Sequence, residues 1–165
     1  MNKKRLVVAF SGPSNSGKTT AIVKVASILN DSGFKVCIIK HDPKDKAIFD
    51  REGKDSFKFS QTGADVAVVG PNRTTLFKKN TSTIDEMIKL FQDFDYLLVE
   101  GLKSLEIPRI SIFRDRLDES YFNVSNAIAC DETINSNGIP SDLDILDLNN
   151  PEEIILWINK NAKRV

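Results

Sequence analysis

The stretch Gly12-Pro13-Ser14-Asn15-Ser16-Gly17-Lys18-Thr19 constrains this chain more than any other. It fits the phosphate-binding loop pattern G-x-x-x-x-G-K-[ST] at every fixed position, and Thr20 follows. An apolar run, Leu6-Val7-Val8-Ala9-Phe10, precedes it, and Ile22, Val25, Ala26 and Leu29 recur behind it at helical spacing. Strand, glycine-rich turn and helix form the context such a loop requires. Gly12 and Gly17 let the backbone approach an anion and take up unusual dihedrals. The N–H groups at the start of a helix point at the phosphates, where the helix dipole also favours negative charge. Gly12, Pro13, Ser14, Asn15, Ser16, Gly17, Lys18, Thr19 and Thr20 are therefore the expected phosphate cradle. Lys18 would reach the β/γ-phosphates and the Thr19 hydroxyl would ligate Mg²⁺. The chain is expected to bind a nucleotide.

At 165 residues the simplest expectation is one nucleotide-binding domain over residues 1–165, with a full hydrophobic core. Lys and Arg number 23, and so do Asp and Glu, so no global basic field argues for nucleic acid. Cys37 and Cys130 each lie inside an apolar run and read as reduced, buried thiols of a cytoplasmic protein. The N-terminus, Met1-Asn2-Lys3-Lys4-Arg5, is basic, but the apolar run behind it breaks at Ser11-Gly12, too soon for a signal-peptide core. No segment approaches the ~20 apolar residues of a membrane span.

The remaining pattern alternates strands and helices. A helix is expected from about Lys18 to Asn30, with Gly33 just past its end. Val36-Cys37-Ile38-Ile39 reads as a parallel strand buried on both faces, finishing at Lys40-His41-Asp42. Strand carboxyl ends face the ligand crevice in open α/β sheets, so that triplet should look toward the phosphates. The charged stretch 42–55 leaves the sheet on the same edge and leads to Asp55, a plausible N-cap of a short helix stopping at Gly63. Val66-Ala67-Val68-Val69 and Thr74-Thr75-Leu76-Phe77 read as strands around the turn Gly70-Pro71-Asn72-Arg73. Thr83 and Glu86 form a capping-box pair for a helix with Ile84, Met87, Ile88 and Phe91 on its apolar face.

Tyr96-Leu97-Leu98-Val99 ends in Glu100-Gly101, a carboxylate at a strand's carboxyl edge, where a second Mg²⁺-site acid is presented in phosphate-loop proteins. Ile110-Ser111-Ile112-Phe113, Ala127-Ile128-Ala129-Cys130 and Leu143-Asp144-Ile145-Leu146 are further strands, and 131–142 is a turn-rich loop. A last helix starts with Asn150 as cap and Pro151 at its first position, with Lys160, Lys163 and Arg164 toward its C-terminal end. The pattern gives one α/β domain with a mostly parallel sheet.

Three stretches together resemble the MobB family, the GTP-binding adaptor proteins of molybdopterin-guanine dinucleotide biosynthesis. They are the phosphate loop from Phe10 to Thr20; Lys40-His41 followed by Phe49-Asp50, Gly53-Lys54-Asp55-Ser56-Phe57 and Thr62-Gly63-Ala64; and Leu98-Val99-Glu100-Gly101-Leu102-Lys103 with Ile107-Pro108-Arg109-Ile110. Their order covers most of residues 5–115. The resemblance implies a P-loop NTPase-like, three-layer α/β fold with a mostly parallel central sheet, usually dimeric. It implies GTP and Mg²⁺ as cofactors and an adaptor role beside a MobA-type guanylyltransferase, which transfers GMP from GTP onto molybdopterin. At most weak GTPase activity goes with that role. Carried over by position, Lys18 and Glu100 are the catalytic candidates, and Thr19 and Glu100 are the Mg²⁺ candidates. Lys40, His41, Asp50, Lys54, Asp55 and Ser56 join the phosphate loop as cofactor-binding candidates.

The sequence departs from the family where more histidines often follow Lys-His; His41 is the only histidine here. The Asn-Lys-x-Asp guanine-reading element is absent, so GTP enters from the resemblance alone. A small-molecule kinase is the alternative, with Arg109, Arg114 or Arg116 as a lid arginine and Asp42 or Asp50 as a base, though all five also read as surface charges. A nucleotide-dependent scaffold for another metallocofactor pathway is a second alternative, differing only in its partner.

Overall fold

The structure, a computed structural model, describes residues 5–165; residues 1–4, most of the basic N-terminal stretch, lie outside the described residues. In order, the chain forms β1 (Leu6–Ser11), α1 (Lys18–Asp31), β2 (Val36–Lys40), α2 (Asp55–Gln61), β3 (Val66–Val69), β4 (Thr74–Phe77), α3 (Ile84–Phe91), β5 (Tyr96–Glu100), β6 (Arg109–Phe113), β7 (Ala127–Cys130), β8 (Asp144–Asp147), α4 (Pro151–Asn161) and β9 (Lys163–Arg164). These elements divide into two compact units. One holds the chain up to His41 together with Asp93–Val165, and the other is Asp42–Gln92.

The first unit is built on a seven-stranded sheet in the order β2-β5-β1-β6-β7-β8, with β9 paired to β1. Every pair along that order is parallel, and β9 alone is antiparallel. All six residues of β1 are buried, as a central strand covered on both faces requires. Leu6, Val8 and Phe10 join a core with Ala21, Ile22, Val25 and Leu29 of α1 and with Ile154, Trp157 and Ile158 of α4. Each such aliphatic or aromatic side chain contributes about 1.5–3 kcal/mol by leaving water. A second cluster packs Phe113, Ile128, Cys130 and Ile139 together, with Tyr121 edge-on to Phe113 at 5.6 Å between ring centres. α4 starts as its sequence dictates, with the Asn150 side chain accepting from Glu153 N at 3.2 Å and Pro151 in the first turn. It is also tied to the sheet, because Trp157 Nε1 donates to Asp144 Oδ2 at 2.7 Å.

Several expectations are revised. β2 is the last strand of its sheet, so Ile38 is 44% exposed rather than buried on both faces. α4 ends at Asn161, and Lys163 and Arg164 leave it to pair with Val7 and Leu6 as β9. Glu119–Val124, for which the sequence pattern predicts no element, winds into a 3₁₀ helix capped by the Asp118 side chain. Both cysteines are free; Cys130 is buried and Cys37 half-buried, and burial pushes both thiols above the ordinary cysteine range. No helix among the described residues is long and apolar enough to cross a membrane.

The second unit carries β3 and β4 as an antiparallel hairpin, with Val66 opposite Phe77 and Val69 opposite Thr74. Gly70 N donates to Arg73 O at 2.9 Å and closes the turn. α3 has the expected capping box: Thr83 Oγ1 accepts from Glu86 N at 3.2 Å, and Glu86 Oε2 accepts from Thr83 N at 2.9 Å. In α2 the cap position falls on Lys54, and Asp55 is the first helical residue with no capping bond. Its charge still suits the positive end of the helix dipole.

Candidate functional site

The phosphate loop turns between β1 and α1 on three positive-φ residues: Gly12 (φ 138°), Asn15 (φ 64°) and Gly17 (φ 96°). Gly12 is obligatory for a second reason. A Cβ there would stand 2.3 Å from the Ile112 carbonyl oxygen of β6, far inside contact distance. Gly17 caps α1 with no side-chain bond, so the first N–H groups of a 14-residue helix are left for a ligand. Ser16 is buried, and its hydroxyl has no hydrogen-bond partner. A buried polar atom of this kind costs stability unless something satisfies it.

Lys18 arches back over the loop, where Nζ donates to Gly12 O at 2.9 Å and Pro13 O at 2.5 Å. Burial lowers its pKa below the ordinary lysine value; Glu100 opposes that shift and Lys40 adds to it. The same three side chains therefore share one electrostatic neighbourhood. Parallel pairing explains why: Phe10, Glu100 and Lys40 stand in register at the carboxyl ends of β1, β5 and β2. Lys40 Nζ lies 3.5 Å from Glu100 Oε1. His41 N donates to Glu100 O at 3.0 Å, and a Cβ on Gly101 would meet the His41 Cβ at 3.1 Å. Lys40-His41 and Glu100-Gly101, sixty residues apart in sequence, are thus brought together beside the phosphate loop.

Thr19 and Thr20 are exposed on the first turn of α1 and line, with Asn15, Gly17, Lys18 and Arg114, a cavity of about 340 Å³. A nucleotide-bound Mg²⁺ draws most of its ligands from phosphate and water, so it asks the protein for few. One hydroxyl, Thr19, and one partly buried carboxylate, Glu100, match that modest demand. Among the described residues no group of three or more His, Cys, Asp or Glu side chains is gathered as a dedicated metal cage.

Asp50, Lys54, Asp55 and Ser56 belong to the second unit. Ser56 Oγ donates to Asp50 Oδ1 at 3.0 Å, and Arg51 N donates to the same oxygen at 2.9 Å. Asp50 Oδ2 is buried without a partner. Lys54 and Asp55 are exposed, and both line an open, mostly apolar cavity of about 450 Å³ beside Phe59 and Val66 to Val69.

Arginines proved the least legible residues. Arg109 is fully buried, so it is neither a surface charge nor a lid. Its Nη1 donates to Ser11 Oγ (2.7 Å) and Gly101 O (2.9 Å), and its Nη2 donates to Leu102 O (2.8 Å) and Leu105 O (3.2 Å). It thereby fastens the loop after Glu100 to the end of β1. Burial lowers its pKa from the ordinary arginine value. Arg114 follows β6 and lines the phosphate-loop cavity; its signal in the sequence was its place just past a strand's carboxyl end.

The model of the MobB family, molybdopterin guanine dinucleotide synthesis protein B, matches residues 7–131. An Escherichia coli molybdopterin-guanine dinucleotide biosynthesis adapter protein is 29% identical over 171 residues, covering 93% of this chain and 94% of its own. A Methanocaldococcus jannaschii relative is 31% identical over 116 residues, 67% of this chain, and the match spans about half of that relative, 48%. The crystal structure of Bacillus subtilis MobB superposes with a TM-score of 0.76 at 25% identity, covering 94% of this chain and 98% of that one. The fold is accordingly the P-loop NTPase-like α/β fold, with a mostly parallel central sheet.

Proposed function

The chain belongs to the MobB family, and from that membership we propose that it is a GTP-binding adaptor in molybdopterin-guanine dinucleotide synthesis. It would assist a MobA-type guanylyltransferase acting on molybdopterin, hydrolyse GTP weakly at most, and work in the cytoplasm. The observation that carries this proposal is the phosphate loop: a turn that only glycine can make at position 12, opening onto an uncapped helix N-terminus beside Lys18. The nucleotide-binding domain is proposed to comprise the whole of residues 1–165.

In this role residues 12–20 hold the phosphates through backbone N–H groups and the Ser16, Thr19 and Thr20 hydroxyls. Lys18 exchanges its two carbonyl partners for phosphate oxygens. Thr19 and Glu100 would hold Mg²⁺, which supplies charge neutralisation of the β- and γ-phosphates when bound. Lys40 holds Glu100 by its ion pair until then, and His41 packs against Gly101 to fix the turn after it. Asp50, Lys54, Asp55 and Ser56 are proposed as further contacts to nucleotide or partner, supported by the unsatisfied Asp50 oxygen and the family resemblance. A homodimer is also proposed; the second unit leaves Ile48, Phe49 and Val69 84%, 82% and 77% exposed, apolar surface that a dimer would cover.

Calorimetric titration with GTP and ATP, each with and without Mg²⁺, tests the proposal. GTP should bind and be preferred. Lys18→Ala should abolish binding without unfolding the chain, and unaltered affinity in that variant would remove the phosphate-loop assignment. Glu100→Gln should weaken binding more with Mg²⁺ than without it; equal losses would remove its metal role.

A further inference from the structure

The phosphate-loop cavity has a wall that the motif does not supply. Arg114 stands three residues past Ser111, which pairs with Ser11 at the end of β1. At about 3.3 Å per residue it rises to the level of the loop itself. Its Nη2 lies 4.0 Å from where a Cβ on Gly17 would be. The side chain is 43% exposed, yet it is aimed rather than adrift, because Nε is 2.8 Å from Asp131 Oδ2.

Asp131 is in turn immobilised. It follows β7 directly, beside Arg114, since Phe113 pairs with Cys130. Its Oδ1 accepts from Thr133 N (3.2 Å) and Thr133 Oγ1 (2.5 Å), and its side chain is only 7% exposed. Thr133 Oγ1 also accepts from Asp115 N at 2.8 Å, where the chain turns at φ 67°. Carboxylate, hydroxyl and turn form one brace, and it engages the guanidinium at its inner nitrogen. That leaves the outer nitrogens for other partners, and one of them, Nη2, lies at the loop end beside Gly17.

The flank decides which task this cation can perform. β5, bearing Glu100, and β6, leading to Arg114, adjoin β1 on opposite sides. A metal ion held by Thr19 and Glu100 would lie toward the Glu100 side, and an arginine that stabilises γ-phosphoryl transfer would have to reach that same end. Arg114 stands across the loop from it, near Gly17. Building on the nucleotide-binding role above, we infer that Arg114, aligned by Asp131, grips the phosphate chain from the flank away from the metal and serves ground-state binding of di- and triphosphate alike. It is a binding residue; Asp131 is a positioning residue acting through it.

Calorimetry with GTP and GDP on the full chain tests this, using Arg114→Gln, Arg114→Lys, Asp131→Asn and the double variant Arg114→Gln/Asp131→Asn. Loss of a charge-assisted bond should weaken Arg114→Gln about tenfold for both nucleotides and by the same factor. Arg114→Lys should recover part of the loss. Asp131→Asn should weaken binding in the native background and add nothing in the Arg114→Gln background, a coupling that general loosening of the fold would not produce. Unchanged affinity of Arg114→Gln for both nucleotides overturns the inference, as does loss of hydrolysis with binding intact. If the unaltered chain binds neither nucleotide, the phosphate-loop reading falls and takes this one with it. Native binding with an unaffected Arg114→Gln removes this inference alone.

Discussion

Arg109, fully buried, and Lys18, half-buried, show how differently two cations serve one loop. Arg109 makes four side-chain hydrogen bonds, three of them to carbonyls of the segment after Glu100. Arg109→Met would keep bulk but strand those acceptors, and buried unsatisfied groups cost about 1–3 kcal/mol each. Urea denaturation should therefore show a loss of about 3 kcal/mol or more; a loss within 0.5 kcal/mol would contradict the network. Lys18 makes a pH-dependent prediction with two signs. Its pKa is lowered in the folded chain, so the unfolded chain keeps that proton to higher pH. This group's contribution to stability therefore grows as pH rises from the lowered value toward the ordinary one. Phosphate binding runs the other way, because it needs the ammonium. Nucleotide affinity should fall as pH rises through the lowered pKa, with proton uptake on binding in that range. Titrations in two buffers of different ionisation enthalpy would detect the uptake.

At the level of elements, Asn150 and Thr83 cap their helices where the sequence puts them, whereas Asp55 does not cap α2. Asn150 and Thr83 each accept a backbone bond three residues on. Replacing either by Ala should cost about 1 kcal/mol. For a chain of this size that is about 2–4 °C in melting temperature, and nucleotide affinity should not change. These two caps are legible because residue type and spacing within one turn favour them. The strand-loop-helix of the phosphate site is legible for the same reason, since its geometry is local. What the sequence could not reveal depends on neighbours far along the chain. Ile38 looks like a core residue until β2 is found at the sheet edge. Lys163 and Arg164 look like the end of α4 until they pair with β1. Arg109 reads as a surface charge until the carbonyls of residues 101–105 close around it. Arg114 shows only its strand-end position; the Asp131 brace that aims it comes from the next strand and cannot be inferred from spacing.

For the whole molecule, the proposed dimer predicts a concentration-dependent sedimentation coefficient. Val69→Lys places a charge on a 77%-exposed apolar position of the hairpin and should shift the population to monomer. An unchanged coefficient would place the dimer contact elsewhere. The balance of 23 basic and 23 acidic residues leaves no long-range field to draw an anionic ligand. Attraction must then come from charges close to the loop, and these differ in what solvent can do to them. Dissolved ions reach Arg114 and Lys40 freely. They do not reach Arg109, whose guanidinium lies under Ser11 and has no carboxylate partner among the described residues. An unneutralised interior charge of this kind projects a fixed positive potential at the floor of the loop, and background electrolyte barely attenuates it. Part of the anion affinity should therefore persist in concentrated salt that silences the surface cations.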